Sequence, residues 1–308
     1  MELNRIYNID NIKGISRLDD NSIDLTVTSP PYSDLRNYKS FSWEFENLAK
    51  HLFRVTKIGG VVVWVVGDKT SKGMEELTPF RQALHFQDVV GFNTWDTMIY
   101  QKDICPFPAN VRYDQMFEFM FIFSKGKVKT FNPLQESKSP KEVEKIMKGK
   151  NTFSSSSSFR DKDGNTKRAD SDSRMMSRLN NSSQRLTKNR GNIWKINSGF
   201  TKSSKDKISF EHPATFPERL AEDQTLSWSN EGDIVLDCFA GSGTTLKMAK
   251  MLSRHYIGIE REKKYVTIAE KRLLATNVPL FGQGRGLTQR EPDKRDSAPS
   301  QAFSTPDT

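Results

Sequence analysis

The sequence predicts an α/β fold with a mostly parallel sheet, and three observations support this prediction. Segments with strand-like and helix-like apolar patterns alternate near both ends of the chain. The run GGVVVWVVGD is continuously apolar, as in strands that are covered on both faces. In VLDCFAGSGTTLKMA an apolar strand leads through a Gly-rich turn into a helix.

The individual elements follow from apolar spacing and from the residues that stop them. Gly59-Gly60 and Gly91 are expected to end the first two helices, and Thr244 or Thr245 is expected to cap the helix after the Gly-rich turn. WDTMIYQK and FEFMFIFSK are expected to be neighbouring antiparallel strands. The predicted strands are SIDLTVTSP, GGVVVWVVGD, WDTMIYQK, FEFMFIFSK, IWKI, DIVLDCF and HYIGIE. The predicted helices are WEFENLAKHLFRVTK, TPFRQALHFQDVVGF, PKEVEKIMKG, PERLAEDQTLSWS, TTLKMAKMLSR and EKKYVTIAEKRLLAT.

Composition limits the class of protein and the kind of partner. The 308 residues carry a net charge of +9, and residues 125–207 hold 21 Lys and Arg against 8 Asp and Glu. Such a local excess indicates a polyanionic partner, although a solvated insertion is the alternative. No apolar run approaches the roughly 18 residues of a membrane span, and the N-terminus lacks a signal pattern. Cys105 and Cys238 lie too far apart to indicate a disulfide framework or a zinc site, so we expect a cytoplasmic protein without a metal.

The turn Ser29-Pro30-Pro31-Tyr32 ends the first long strand in an unusual way. The two prolines fix φ and remove two backbone N–H groups, so the carbonyls of Ser29 and Pro30 are poor candidates for a regular ladder. This leaves a hydrogen-bond acceptor beside the flat ring of Tyr32, although a plain strand stop is the alternative.

The Gly-rich turn predicts a ligand site at the carboxyl end of a strand. A phosphate-binding P-loop would need Lys after Gly243, where the chain has Thr, and GSGTTL supplies only two of the three glycines of a dinucleotide fingerprint. An adenosyl ligand remains, and it needs an acid downstream for the ribose hydroxyls. Glu260 ends a strand 17 residues after Gly243, near the expected spacing of about 20. The alternative is that Glu260 merely ends that strand.

Four stretches together resemble the β-class of bacterial DNA amino-methyltransferases. They are TSPPY at 28–32, HPATFPERL at 212–220, LDCFAGSGTT at 236–245, and YIGIE at 256–260. Their order matches that class over about residues 3–275, and Cys238 departs from its usual Pro. The resemblance implies a circularly permuted, Rossmann-like methyltransferase sheet that uses S-adenosyl-L-methionine, with a basic target-recognition insertion. It implies a catalytic half at 1–124, the insertion at 125–205, a cofactor-binding half at 206–281 and a flexible tail at 282–308.

The resemblance also implies roles for individual residues. Ser29 Oγ and the Pro30 carbonyl would accept hydrogen bonds from an exocyclic amine, Pro31 would stiffen the turn, and Tyr32 would stack on the extruded base. Phe216 and Phe239 could instead be core residues. The residues expected to bind the cofactor are Asp10, His212, Phe216, Pro217, Asp237, Phe239, Ala240, Gly241, Ser242, Gly243, Thr244 and Glu260.

The resemblance implies double-stranded DNA as the substrate, with Ser29 favouring cytosine N4 over adenine N6. Members of the family often dimerise, and a companion restriction endonuclease is a further candidate partner. Methylation at a ring carbon would need a Pro-Cys pair, and the chain has Cys105 before Pro106. The rival interpretations are an RNA or protein amine methyltransferase, a DNA-binding module without catalysis and a nicotinamide oxidoreductase.

Overall fold

The structure is a computed structural model that describes residues 1–30, 38–104, 111–147, 158–160, 166–168, 186–197, 203–204, 206–212 and 215–277. In chain order its strands are β1 (Arg5–Asn8), β2 (Ile23–Thr28), β3 (Thr56–Val66), β4 (Thr70–Ser71), β5 (Met74–Glu75), β6 (Asn93–Gln101), β7 (Phe117–Ser124), β8 (Gln135–Ser137), β9 (Ser158–Arg160), β10 (Thr166–Arg168), β11 (Thr187–Asn189), β12 (Ile193–Lys195), β13 (Ile234–Asp237) and β14 (His255–Glu260). Its α-helices are α1 (Asn11–Ile15), α2 (Tyr38–Val55), α3 (Thr78–Leu84), α4 (Pro140–Met147), α5 (Glu218–Trp228), α6 (Thr244–Met251) and α7 (Lys263–Ala275). A π-helical turn covers His85–Val90, and a 3-10 turn covers Lys207–Glu211.

Eight strands form one mixed sheet in the order β1-β14-β13-β2-β3-β7-β6-β12. The five strands from β1 to β3 are parallel, and β7 runs antiparallel to both β3 and β6. This confirms the predicted α/β class and the antiparallel pairing of WDTMIYQK with FEFMFIFSK. IWKI also forms a strand, since β12 pairs with β6. The carboxyl ends of β1, β14, β13, β2 and β3 therefore lie along one edge of the sheet.

The main core lies between one face of the sheet and helices α1 and α2. Trp64 on β3 is near its centre, where its ring packs edge-on against Phe86 at 5.3 Å between centroids and its indole N–H donates to Gln82 Oε1 at 2.9 Å. On the opposite face, Gln224 of α5 contacts Met120 of β7 at 3.5 Å and accepts a hydrogen bond from Trp228. Both faces of β3 are thus covered, as its apolar sequence predicts.

The prediction that Gly59-Gly60 stops a helix is wrong in its detail. Helix α2 ends at Val55, and the strand begins at the next residue, with both glycines inside it. Gly59 has a φ of +84°, and the pairing of β2 with β3 shifts register between Ile23 and Leu25. The glycines therefore allow an irregularity in the strand, where a side chain would meet neighbouring backbone.

The described residues form two compact units. One comprises the residues up to Asn132 and from Gly191 onward, and the other lies within Pro133–Arg190. In the second unit β8 pairs with β11, β9 pairs with β10, and α4 begins with a capping box in which the Glu142 carboxylate accepts from the Ser139 N–H at 2.8 Å. The predicted tail at 282–308 lies outside the described residues. The predicted limits of the insertion, 125 and 205, stay predictions.

Candidate active site

The loop between β13 and α6 leaves the sheet at its carboxyl edge. Ala240 N–H donates to the Ile259 carbonyl of β14 at 3.0 Å, which fixes the start of the loop against the neighbouring strand. Gly243 precedes α6 with a φ of +77°, and a Cβ there would lie 2.7 Å from Ala269 Cβ of α7. Only glycine fits this position, because the backbone is left-handed and α7 packs directly against it.

The expected helix cap by Thr244 or Thr245 is wrong. Gly243 takes the N-cap position, and no side chain caps the first turn of α6. Both hydroxyls have other partners: Thr245 donates to the Val27 carbonyl of β2 at 3.2 Å, and Thr244 accepts from Arg272 at 3.0 Å. The first turn of α6 is thereby bonded to β2 and to α7.

Glu260 closes the loop from the end of β14. Its Oε2 accepts from the Gly241 N–H at 2.9 Å, and its Oε1 accepts from the Glu262 N–H at 2.8 Å. A carboxylate offers about four acceptor lone pairs, so acceptor capacity remains for two hydroxyls. His212 lies against the other side of Gly241, since a Cβ there would lie 3.0 Å from His212 Nε2. The His212 ring also packs edge-on against Tyr265 of α7 at 4.2 Å between centroids.

Asp237 is the last residue of β13, and its carboxylate is buried under the loop. Its Oδ1 accepts from the Thr28 hydroxyl at 2.7 Å and from the Phe239 N–H at 3.1 Å. Burial raises the pKa of Asp237 to about 6, against these hydrogen bonds, which lower it. Burial, together with the nearby Asp237, also raises the pKa of the Cys238 thiol, which keeps it protonated at neutral pH. Cys238 is thus unsuited to act as a nucleophile.

Ser29 and Pro30 follow directly after β2 at the same edge. Strand β2 pairs with β13 on one side, at Leu25 to Val235, and with β3 on the other side. The turn after β2 and the loop between β13 and α6 therefore leave adjacent parallel strands, roughly 5 Å apart. Ser29 is half-buried and Pro30 is buried. Pro31 and Tyr32, the other two predicted catalytic residues, lie outside the described residues.

The structure also describes the remaining predicted site residues. Asp10 follows β1, where its Oδ1 accepts from the N–H groups of Ile12 and Lys13 and so caps α1. Phe239 is partly buried and packs at the border of the core, 6.4 Å from Trp64 between ring centroids. Phe216 is half-buried, and Pro217 is buried at the start of α5.

Sequence reasoning missed a buried group of charges beneath the loop. Arg272 and Lys247 bond there to Asp206 and Glu218. Glu218 belongs to the HPATFPERL stretch, but no motif marks Arg272, Lys247 or Asp206, and the four residues come from separate segments. The sequence signal for them was that Glu218 lies within this stretch and Asp206 lies six residues before it.

Comparison with known proteins identifies the family. A family model described as DNA methylase matches residues 23–271, most of the chain. The chain belongs to this DNA methylase family. It is similar to the orphan methyltransferase M.BamHII of Bacillus amyloliquefaciens, with 53% identity over 88% of this chain and 97% of that protein. It also resembles the type II methyltransferase M.BglII of Bacillus subtilis, with 29% identity over 87% and 68% of the two chains.

Two solved structures share the fold. The PvuII DNA methyltransferase, described as cytosine-N4-specific, aligns with a TM-score of 0.63 at 20% identity over 89% of this chain and 87% of its own. TTHA0409 of Thermus thermophilus, solved with S-adenosyl-L-methionine, aligns with a TM-score of 0.57 at 23% identity over 90% and 95% of the chains. The predicted fold and the resemblance to DNA amino-methyltransferases are confirmed.

S-adenosyl-L-methionine is the cofactor of this family, which confirms the cofactor prediction. The residues at the sheet edge fit such a group. Gly241 and Gly243 have positive φ and no side chain, which leaves the loop backbone accessible, and the Glu260 carboxylate lies at the end of the neighbouring strand. Within the described part of the chain, no three His, Cys, Asp or Glu side chains cluster as metal ligands would. None of the described helices is both long and apolar enough to span a bilayer.

Proposed function

We propose that this DNA methylase transfers a methyl group to the exocyclic N4 of cytosine in double-stranded DNA. The observation that carries the proposal is the adjacency of the Ser29-Pro30 turn and the Gly241–Gly243 loop at the ends of neighbouring strands β2 and β13. An acceptor for the amine and a loop for the methyl donor are thus close enough to serve one reaction.

The donor site is proposed to form around the loop. Glu260 would accept hydrogen bonds from the ribose hydroxyls, and the backbone of Ala240–Gly243 would face the methionine part. Glu260 is suited to this because its carboxylate is already held by two N–H groups and needs no reorganisation. The other proposed contacts, which would line the rim of this site, are Asp10, His212, Phe216, Pro217, Asp237, Phe239 and Thr244.

The target amine is a poor nucleophile because its lone pair is delocalised into the base. Ser29 Oγ and the Pro30 carbonyl would accept hydrogen bonds from its two N–H groups and so turn the lone pair toward the donor. S-adenosyl-L-methionine supplies an electrophilic methyl group on a sulfonium. In the transfer the N–C bond would form as the S–C bond breaks, and the methylated amine would then lose its proton to solvent. No covalent bond to the protein is needed, which agrees with the protonated Cys238 thiol.

The base must leave the duplex, because its amine is not accessible to the enzyme inside the stack. Pro31 would stiffen the turn, and Tyr32 would stack on the extruded base, a contact typically worth about 1–3 kcal/mol. We propose residues 125–205 as the target-recognition insertion, because their excess of Lys and Arg suits phosphates and guanine edges. Most of these cations would position the duplex rather than read its sequence.

Adenine N6 is the alternative target within this family. Cytosine is favoured because Ser occupies the first position of the acceptor motif, and the PvuII relative is described as cytosine-N4-specific, although its likeness concerns the fold alone. We further propose that the chain acts without a companion endonuclease, since the M.BamHII relative is named an orphan methyltransferase. A homodimer stays a prediction.

Nucleoside analysis tests the target base. The purified protein is incubated with unmethylated DNA and isotope-labelled S-adenosyl-L-methionine, and the DNA is then digested and examined by mass spectrometry. Labelled N4-methylcytosine is the expected product. Labelled N6-methyladenine would contradict cytosine as the target base, but the reaction would still be methyl transfer to an exocyclic amine of DNA. If label appears only in RNA or protein samples that are treated in parallel, the proposal that DNA is the substrate is overturned.

A further inference from the structure

We propose that Arg272 is a positioning residue that holds the two walls of the donor site in register. One wall is the Gly-rich loop at Ser242 and Thr244, and the other consists of Ser204, Asp206, His212 and Glu218. The inference rests on the proposed donor site at this loop. It assigns a role to four charged residues that do not belong to the acceptor turn or the loop itself.

The first observation is the complete burial of a charged side chain. The Arg272 side chain has an exposed fraction of 0%, although it lies near the end of α7. Arginine is almost never fully buried unless it is paired. Nη1 donates to the Ser242 carbonyl at 2.6 Å, to Ser242 Oγ at 3.2 Å and to Thr244 Oγ1 at 3.0 Å. Nη1 of the guanidinium therefore bonds to the loop.

The other two nitrogens of Arg272 bond to the opposite wall. Nε donates to Asp206 Oδ2 at 3.0 Å, and Nη2 donates to Glu218 Oε1 at 2.9 Å and to Ser204 Oγ at 3.4 Å. The planar fork of the guanidinium fixes the angle between these bonds. A displacement of one wall relative to the other would therefore break hydrogen bonds on one side of the same group.

A second cation completes the group. Lys247 of α6 donates to the same two oxygens, Asp206 Oδ2 at 2.7 Å and Glu218 Oε1 at 2.8 Å. Two buried cations thus face two carboxylates, of which Glu218 has a side-chain exposure of 12% and Asp206 of 31%. Burial alone would raise the pKa of Asp206, yet hydrogen bonds from Lys247 and Arg272 hold it below its usual value, so this carboxylate is ionised.

Such a set is poorly explained as a source of stability. Buried ion pairs seldom exceed the contribution of apolar side chains of similar size, because removing charges from water opposes their attraction. Their directional bonds fix geometry instead. Asp206 and Glu218 lie on either side of His212 in sequence, and His212 lies close to Gly241, where an added Cβ would be 3.0 Å from His212 Nε2. The set is therefore placed to fix the distance between His212 and the loop.

Arg272→Lys tests the proposal, because it keeps the charge and removes the fork. The matched control is Arg254→Lys. Arg254 is also buried, and it donates to the Ser229 carbonyl at 2.7 Å and to Ser229 Oγ at 3.1 Å, contacts that do not involve the loop. Affinity for S-adenosyl-L-methionine is measured by calorimetry on folded protein, and the KM for DNA and the unfolding midpoint are measured in parallel.

We expect Arg272→Lys to raise the Kd for S-adenosyl-L-methionine by about tenfold, with an unchanged KM for DNA and faster hydrogen exchange at the amides of 242–244. We expect Arg254→Lys to lower the unfolding midpoint without changing that Kd. Equal Kd values for wild type and Arg272→Lys would overturn the proposal.

If Arg272→Lys does not fold, Ser204→Ala decides the question. It deletes only the hydroxyl that donates to Glu218 at 2.8 Å and accepts from the Asp206 N–H and Arg272. A two- to threefold rise in Kd supports the proposal, and an unchanged Kd overturns it. Failure of the proposed function would appear separately, as the wrong methylated nucleoside with the donor still bound.

Discussion

The hydroxyl of Thr28 donates a hydrogen bond of 2.7 Å to Oδ1 of Asp237. Thr28 is the last residue of β2 and Asp237 is the last residue of β13, so the bond joins the two strands where they leave the sheet. Ser29 follows Thr28 directly, and the proposed donor loop follows Asp237 directly. The bond therefore links the position of the proposed acceptor to the position of the proposed donor site.

Thr28→Val should slow methyl transfer by about tenfold, because the Asp237 carboxylate loses one of its side-chain donors and the two strand ends can separate. It should also lower the free energy of unfolding by about 1–3 kcal/mol, as expected for a buried acceptor left short of a donor. Thr26→Val is the matched control on the same strand, since Thr26 Oγ1 is buried without a hydrogen-bond partner among the described residues. Equal turnover in the two variants would contradict the link.

The titration of Asp237 predicts a pH dependence of stability. Its pKa of about 6 in the folded state lies above the ordinary value of 3.8, so the folded state binds this proton more tightly than the unfolded chain. The associated stability is present below pH 3.8 and is lost as the pH rises through about 6. Asp237→Asn keeps an acceptor for Thr28 and Phe239 but cannot titrate.

Urea unfolding of the cofactor-free protein and of Asp237→Asn at several pH values measures this effect. The unfolding free energy of the variant minus that of the wild type should rise between about pH 4 and pH 6.5, by up to about 3 kcal/mol. A difference that stays constant across this range would show that Asp237 does not titrate there.

Gly243→Ala should be strongly destabilising for two reasons that a control can separate. The backbone has a φ of +77°, and the added Cβ would lie 2.7 Å from Ala269 Cβ. Gly232 has a similar φ of +82°, and an added Cβ there would meet no described atom within 4 Å. Gly232→Ala therefore measures the backbone effect alone, about 1–2 kcal/mol. Thermal or urea unfolding should show a loss for Gly243→Ala that is larger by about 1–3 kcal/mol. Equal losses would mean that α7 does not pack against the loop as described.

Glu260→Gln should raise the Kd for S-adenosyl-L-methionine by about tenfold. The amide can accept from only one of the Gly241 and Glu262 N–H groups, because its nitrogen is a donor and would oppose the other. Glu270→Gln, at an exposed position on α7, makes the same change of charge away from the site. A Kd for Glu260→Gln within twofold of the control value would show that Glu260 does not bind S-adenosyl-L-methionine.

The fold could be predicted largely because its signals are local. The apolar run of β3 and the alternation in FEFMFIFSK identify strands from neighbouring residues alone, and the Gly-rich turn marks the carboxyl end of β13. Errors occurred where tertiary contacts override local preference. Gly59 lies inside a strand because an irregular pairing with β2 requires its φ, and Thr244 does not cap its helix because Arg272 engages its hydroxyl.

The site was predictable only where a motif concentrates its residues. Ser29, Gly241 and Glu260 lie at recognisable strand ends. Arg272 lies 66 positions from Asp206 and 30 from Ser242, and nothing in the sequence indicates that these residues meet. Contacts over such distances depend on how α7 packs against the loop, which is a property of the assembled sheet.

The most direct test of the account is single-turnover methyl transfer by Ser29→Ala with donor and DNA both saturating. Loss of one hydrogen bond that acts on the reacting amine should lower the rate by about 100-fold. The Kd for S-adenosyl-L-methionine should stay at the wild-type value, because Ser29 is not a proposed donor contact. A rate within about threefold of wild type, with the donor still bound, would contradict the proposal that the turn after β2 acts on the target base.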